Sequence, residues 1–406
     1  MGKVGTSIKT LSTLLTLILI NLSSCSHKDL SRADFEQVGF STERFAKLRS
    51  LINAAIERKE FPGAVLIIGR KGKIVMREAF GESQWVPSPK KMRPDMIFDL
   101  ASITKPIATA TSVMILIQDG KLRLFDRVDK YIPEFTTHID EAGKPGEPVR
   151  IYHLLTHTSG LPAYTNAEAV EKKYGSPCPD SLVLHIARLE KLYPPGIKFT
   201  YSCLGFITLA EIVKRISGQP LNEFASEHIF RPLGMKSTGF ELDAEQLKRC
   251  VPTEVIDGEL LIGVVNDELA RLMGGISGNA GLFSTADDLA IFAQMMLQGG
   301  QYGDIRILSP LTTKRMTTIY ERTAFSGRAL GWDVSSNYST NGGDLFPPGA
   351  YGHTGYTGTS IWIDPTTQTF IIFLTNRVHP DDSRNREIVE IRSYVANIVA
   401  SAIVQP

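Results

Sequence analysis

Cysteine is scarce in this chain. Besides Cys25 there are only Cys178, Cys203 and Cys250, which allows at most one disulfide among those three. Cys178 with Cys250 is the expected pair, because Cys203 belongs to a chemical motif described below. Excess charge is missing too, with 44 Lys and Arg against 43 Asp and Glu and no basic block, so nucleic acid is not expected as a partner. No apolar run is long enough for a comfortable membrane span. The absence of a G-x-S-x-G elbow argues against an α/β-hydrolase esterase. His153 and His157 stand at i, i+4 but lack the glutamate of H-E-x-x-H and a third ligand, so they read as a structural turn and no metal is expected. There is no internal repeat and no low-complexity tract.

What is present begins with a leader. Lys3 and Lys9 precede an apolar run from Leu11 to Leu22, followed by Ser23-Ser24-Cys25, the layout of a secretory signal peptide over residues 1–24. Leu22-Ser23-Ser24-Cys25 resembles a bacterial lipobox, which implies lipidation at Cys25. Ser26 beside it resembles lipoproteins sent to the outer membrane, so the expected location is the periplasm, with a membrane anchor at the N-terminus. Residues 25–40 then read as a lipidated N-terminus and polar tether.

The full sequence is 43% hydrophobic, and the remaining chain, 41–406, is long enough for one large domain or two lobes. Phe45, Leu48, Ile52 and Ile56 repeat at helical spacing behind Ser41-Thr42. Gly63 to Arg70 and Lys73 to Phe80 are β-prone runs joined by Lys71-Gly72, a hairpin signature. Further β-rich runs, Ser360 to Asp364 and Thr369 to Leu374, come only near the far end, ahead of a helix near Glu387 to Val404. The segment between is mostly helical or loop. The expected fold is therefore α/β (α+β), a central antiparallel sheet built from both chain ends and flanked by helices, with a helical lobe of about residues 102–325 inserted.

Chemistry concentrates in three stretches. In FDLASITKPIATATSVMILIQDG, Phe98 to Gly120, Ser102 and Lys105 form S-x-x-K, and residues three apart on a helix face the same way. The lysine amine can then reach the serine hydroxyl, which is a poor nucleophile until a neighbour takes its proton. The apolar residues behind it make the helix a buried mount, stopped at Asp119-Gly120. A second match, Ser88-Pro89-Lys90-Lys91, sits in a Pro- and Lys-rich stretch and reads as loop. In PPGIKFTYSCLG, Pro194 to Gly205, Tyr201 stands at a loop-to-helix junction, where a phenol beside a lysine can act as general base or acid. In GHTGYTGTS, Gly352 to Ser360, small residues at a strand edge let a substrate approach the backbone. Asp287 and Asp288, behind Ser284-Thr285, read as a helix cap.

Ser102-Ile103-Thr104-Lys105, Tyr201-Ser202-Cys203 and His353-Thr354-Gly355, in that order, resemble the three active-site motifs of the serine β-lactamase and penicillin-binding-protein superfamily. The nearest branch is the class C β-lactamase-like group, which also holds DD-peptidases and esterases. LLTHTSGLP (Leu154 to Pro162), PLGM (Pro232 to Met235) and GNAGLFSTADDLA (Gly278 to Ala290) extend the likeness over most of residues 42–380. The resemblance implies a β-lactamase/transpeptidase-like fold and an acyl-enzyme formed at Ser102, with Lys105 and Tyr201 sharing the proton traffic. It further implies an oxyanion hole from the backbone N–H groups of Ser102 and Tyr356, substrate contacts from residues 203 and 353–355, and no cofactor.

Two departures stand out against that pattern. The second motif usually ends in asparagine, and a thiol at Cys203 cannot replace a bidentate amide. The third commonly begins with a lysine that holds the substrate carboxylate. With His353 in its place, carboxylate recognition is expected to weaken as pH rises, unless another cation such as Arg271 helps. The expected function is hydrolysis of D-alanyl peptide or β-lactam amide bonds, the substrate being a small molecule or a peptidoglycan fragment. A carboxylesterase on the same scaffold is the first alternative, and a low-turnover penicillin-binding module the second.

Overall fold

The computed structural model describes residues 1–2, 30–382 and 387–405. The expected leader and lipidation site at Cys25 lie outside the described residues.

Six strands form the main sheet: β1 (Gly63–Arg70), β2 (Lys73–Gln84), β3 (Lys90–Lys91), β4 (Tyr351–Thr354), β5 (Ser360–Asp364) and β6 (Thr369–Thr375). Their order is β4-β5-β6-β1-β2-β3, and every neighbouring pair is antiparallel. The two ends of the chain thus meet where β1 pairs β6, Ala64 opposite Thr375 through Arg70 opposite Thr369. Lys71 and Gly72, with φ of 49° and 76°, close the β1–β2 hairpin in the left-handed region that a two-residue turn of this hand requires. Of the Ser88-Pro89-Lys90-Lys91 stretch, read as loop, the two lysines form edge strand β3 instead; exposed lysines suit an edge.

Both faces of the sheet are covered, and the period-2 pattern says by what. Ala64, Leu66 and Ile68 of β1, with Ile371 and Phe373 of β6, pack with helix α1 (Thr42–Glu57) and the C-terminal helix. Val65 and Ile67 of β1, with Phe370, Ile372 and Leu374 of β6, face the main core and the inserted lobe. That lobe runs between β3 and β4 and includes α2 (Thr111–Gln118), α3 (Cys203–Ser217) and α4 (Ala286–Leu297); α5 (Ile388–Ser401) is the C-terminal helix.

Two expectations need correction here. Residues 32–40 are docked chain rather than tether: Arg32 bridges Ile74, Phe40 bridges Ile403, and Phe35 stacks on Phe45 at 4.0 Å. Two phenylalanines with an apolar partner to hand do not stay in solvent. Cys178 and Cys250 are unpaired thiols, because they belong to different packing clusters. The helix-cap reading of the stretch around Asp287 and Asp288 holds: Thr285 caps α4, its hydroxyl accepting from the Asp288 amide. The Asp287 carboxylate pairs with Arg77, and that of Asp288 takes the Ser237 amide and the Thr238 hydroxyl.

Phe206, fully buried on α3, joins this packing to the chemistry above it, since its ring lies 5.9 Å from Lys105 Nζ and 5.1 Å from the His157 ring. Phe206→Ala is therefore expected to lower stability by about 3–5 kcal/mol. Denaturant unfolding of the variant against the parent chain checks this.

Candidate active site

Ser102 sits on a strained, over-determined mount. Ala101 before it has φ of 46°, a left-handed conformation that costs a non-glycine residue about 1–2 kcal/mol. A buried carboxylate holds it there: Asp99 Oδ1 accepts the Ala101 amide at 2.8 Å, and Oδ2 accepts that of Asn266 at 2.7 Å. Burial pushes the Asp99 pKa up to about 6. Residues 98–99 pair with residues 283–284, and the Leu100 amide donates to Leu282, so the segment is fixed to the GLFS stretch as well.

The chain behind Ser102 is helical but not uniformly α. Lys105–Ala110 forms a wide π-helical turn, with the Thr111 hydroxyl donating to Pro106 O at 2.8 Å, before α2 continues to its stop at Gly120. Pro106 has no N–H to give to an α ladder at this point. The turn leaves Lys105 wholly buried, with Nζ donating to Ser102 Oγ at 2.8 Å, to Asn279 O at 2.9 Å and to Cys203 Sγ at 3.5 Å. Burial works against the ammonium, yet the negative charge available at Cys203 and Tyr201 outweighs it and raises the Lys105 pKa. Burial also pushes the Cys203 thiol up.

Tyr201 is held by the LLTHTSGLP stretch. The amides of Thr200 and Ser202 donate to His157 O and Nδ1, both at 3.0 Å, and the Ser202 hydroxyl donates to Pro162 O at 2.6 Å. The His157 ring stacks on that of Tyr201 at 4.4 Å, and Lys105 Nζ stands 5.1 Å from the Tyr201 centroid. His153 instead accepts the Arg150 amide at Nδ1. Each of the two histidines thus has a structural hydrogen bond of its own. Among the described residues no group of three side chains could hold a metal ion.

The third motif closes the site. Ser102, Tyr201, His353, Thr354, Gly355 and Tyr356 line one cleft of about 360 Å³, with Lys105 and Cys203 beneath it. Gly355 is required by close approach, since a Cβ there would lie 2.3 Å from Leu100 O and 2.1 Å from Thr359 Oγ1. The hydroxyls of Thr357 and Thr359 donate to Asp99 O and Leu100 O, binding the β4–β5 turn to the Ser102 mount. Among the described residues neither the Ser102 nor the Tyr356 backbone N–H has an acceptor. Two free N–H groups beside a nucleophile are what an oxyanion hole needs.

Two expectations about charge fail. His353 is buried, and its Nδ1–H donates to Thr354 O at 2.9 Å. Burial, then Arg328 and Lys105, hold its pKa well below the usual histidine range, so it carries no charge near neutrality. Arg271 is committed elsewhere, donating to Val265 O and Asn266 O, and does not line the cleft. The cations that do are Arg328, Arg377 and Arg392. Sequence reasoning missed all three. Arg392 left a trace, because it falls on the apolar stripe Ile388, Ile391, Val395 and Val399.

The β-lactamase family model matches residues 48–396. An Escherichia coli K12 protein whose name, given provisionally, is D-alanyl-D-alanine carboxypeptidase is 34% identical over 93% of each chain. The N-acetylmuramyl-L-alanine amidase of Bacillus subtilis is 33% identical over 87% of this chain and 86% of its own. Among solved structures, EstCE1, a hydrolase with promiscuous acyltransferase activity, superposes with a TM-score of 0.71 at 22% identity, covering 88% of this chain and 99% of its own.

Because His353 is already neutral, pH has no charge to remove from it between about pH 6 and 8. His353→Asn is expected to leave the shape of the kcat/KM profile over that range unchanged, as steady-state assays at constant ionic strength would record. Loss of an ionisation in the variant would return the charge to His353.

Proposed function

The chain belongs to the β-lactamase family, and we propose that it is a serine hydrolase acting on cell-wall peptide amides of the D-alanyl kind through an acyl-enzyme at Ser102. The observation that carries this is the buried Lys105 ammonium 2.8 Å from Ser102 Oγ, facing a cleft with two free backbone donors. An ammonium cannot accept the serine proton, so the phenolic oxygen of Tyr201 is the base that takes it as Ser102 Oγ attacks the carbonyl carbon. Negative charge that develops on the carbonyl oxygen meets the N–H groups of Ser102 and Tyr356. The tetrahedral intermediate collapses as Tyr201 returns the proton to the leaving amine, and a water activated by Tyr201 then releases the acyl group.

Both relatives named above carry the names of amide-cleaving enzymes, which favours amides over esters. With His353 neutral, a substrate carboxylate finds its countercharge at Arg328, fully buried at the cleft with Nε and Nη2 unpartnered, or at Arg377. A carboxylesterase is the second reading, favoured by the neutral His353 and the thiol at Cys203. A penicillin-binding module with little turnover is the third. Export and anchoring through Cys25 belong to the same proposal, and rest on the charged and apolar leader of residues 3–25. Cys25→Ser should move the protein from the membrane fraction to the soluble fraction.

Intact-mass spectrometry over time with a D-alanyl-D-alanine peptide, a β-lactam and a short-chain ester tests the reading. The expected result is an acyl adduct with the peptide or β-lactam that is absent in Ser102→Ala, and acylation at least 10³-fold slower, to order of magnitude, in Lys105→Ala. Rapid turnover of the ester without amide cleavage would select the esterase, and a persistent adduct the binding module. An adduct that survives in Ser102→Ala would sink the mechanism.

A further inference from the structure

We infer that Arg392, from the C-terminal helix α5, is the positioning residue of the oxyanion hole, orienting and polarising the one peptide whose N–H is supplied by Tyr356. The inference rests on the acyl-serine reading above.

The geometry runs through the Gly355–Tyr356 peptide. Arg392 Nη2 donates to Gly355 O at 2.9 Å and to Thr359 O at 2.9 Å, and Nη1 donates to Asn341 Oδ1 at 3.2 Å. The Gly355–Tyr356 bond is trans, so its N–H points away from its C=O. A carbonyl drawn toward Arg392 therefore turns the Tyr356 N–H to the opposite side of the turn. The hydroxyls of Thr357 and Thr359 tie that turn to Asp99 O and Leu100 O on the Ser102 mount, so the turn is gripped between α5 and the segment that carries the nucleophile. Donation to a peptide oxygen also strengthens the same peptide as a donor through its N–H. Arg392 thus acts on the transition state through a group that does touch it.

Burial and charge agree with this role. Arg392 is only 6% exposed, and among the described residues no carboxylate pairs with it. Burial, then the neighbouring Arg377, lower its pKa to about 9, which still leaves it charged at neutral pH. A buried cation without a counterion is costly, and its hydrogen bonds go to the chain's own oxygens, two of them carbonyls of the β4–β5 turn. Both geometries in which a guanidinium forks a carboxylate use Nη2. The two protons of Nη2 are already committed to Gly355 and Thr359, which separates Arg392 from Arg328 as an anchor for substrate.

The test compares Arg392→Lys, Arg392→Met and Arg392→Gln with the parent protein, each checked by thermal unfolding. Acylation is followed with a carboxylate-bearing peptide and its C-terminal carboxamide. Met and Gln are expected to lower kcat and kcat/KM together by about 10–100-fold for both substrates, less than the loss of a whole oxyanion donor, with KM within twofold. Lys should recover part of the loss, and affinity for a boronic acid that mimics the tetrahedral state should fall in parallel. The backbone amide resonance of Tyr356 should shift in Met and Gln but not in Ser102→Ala. A rise in KM confined to the carboxylate substrate, or unchanged rates with an unmoved Tyr356 resonance, would overturn the inference. A parent protein that acylates with nothing, while the Tyr356 resonance still follows residue 392, would bring down the hydrolase reading and leave the positioning geometry standing.

Discussion

Everything at this site depends on one buried ammonium. Lys105 Nζ is where three separate parts of the chain converge: the Ser102 segment, the Gly278–Asn279 stretch and the start of α3 at Cys203. A charge taken out of water must be compensated at the place where it is buried, and here three acceptors supply that compensation. Removing any one of them releases a constraint on the other two. The strain at Ala101 and the Asp99 carboxylate that holds it belong to the same constraint, because they fix the backbone immediately before Ser102, whose Oγ meets the ammonium.

The frame around this junction explains why a sheet made from both chain ends is useful. Strands β1 and β6 bring the termini together, and strand β4 at the far edge hands on to a turn that lies against Leu100. The sheet therefore carries the Tyr356 N–H, while the inserted lobe carries the nucleophile and Tyr201. Helix α5 packs on the opposite face of the sheet from the lobe, yet its Arg392 reaches the turn where the two meet. The C-terminal helix is in this sense part of the site, although it contributes no group aligned with the three motifs.

Much of this was legible in the sequence because local chemistry fixed it. The Lys71-Gly72 turn, the alternating β1 and β6 runs and the S-x-x-K spacing each have short-range causes, and the structure keeps them within a residue or two at their ends. What failed depended on partners far away in the chain. The cysteines could not be paired from spacing, because Cys178 and Cys250 are buried in separate clusters. Phe35 and Phe40 looked like part of a polar tether until Phe45 and Ile403 were brought beside them. Arg328, in an apolar RALGW stretch, gave no periodic signal at all. The downward shift of the His353 pKa was not legible for the same reason, since it comes from burial and from Arg328, Lys105 and Arg392, brought in from elsewhere in the chain.

That environment also accounts for the histidine that stands at position 353 in place of the family's lysine. A lysine at position 353 would place a further cation in a low-dielectric wall that already holds Lys105, Arg328 and Arg392, where like charges repel strongly. A neutral histidine avoids the repulsion and keeps its hydrogen bond to Thr354 O. The positive charge of the wall then resides on Arg328, whose guanidinium lies 5.9 Å from the Tyr201 ring and 3.6 Å from Asp333. Cys203 adds no charge to this wall either, since burial raises its thiol pKa and its sulfur accepts only weakly from Lys105. Residue 353 is thus neutral where the family commonly has a lysine, residue 203 is neutral as an asparagine there would be, and the cations around the fixed Lys105 ammonium are arginines.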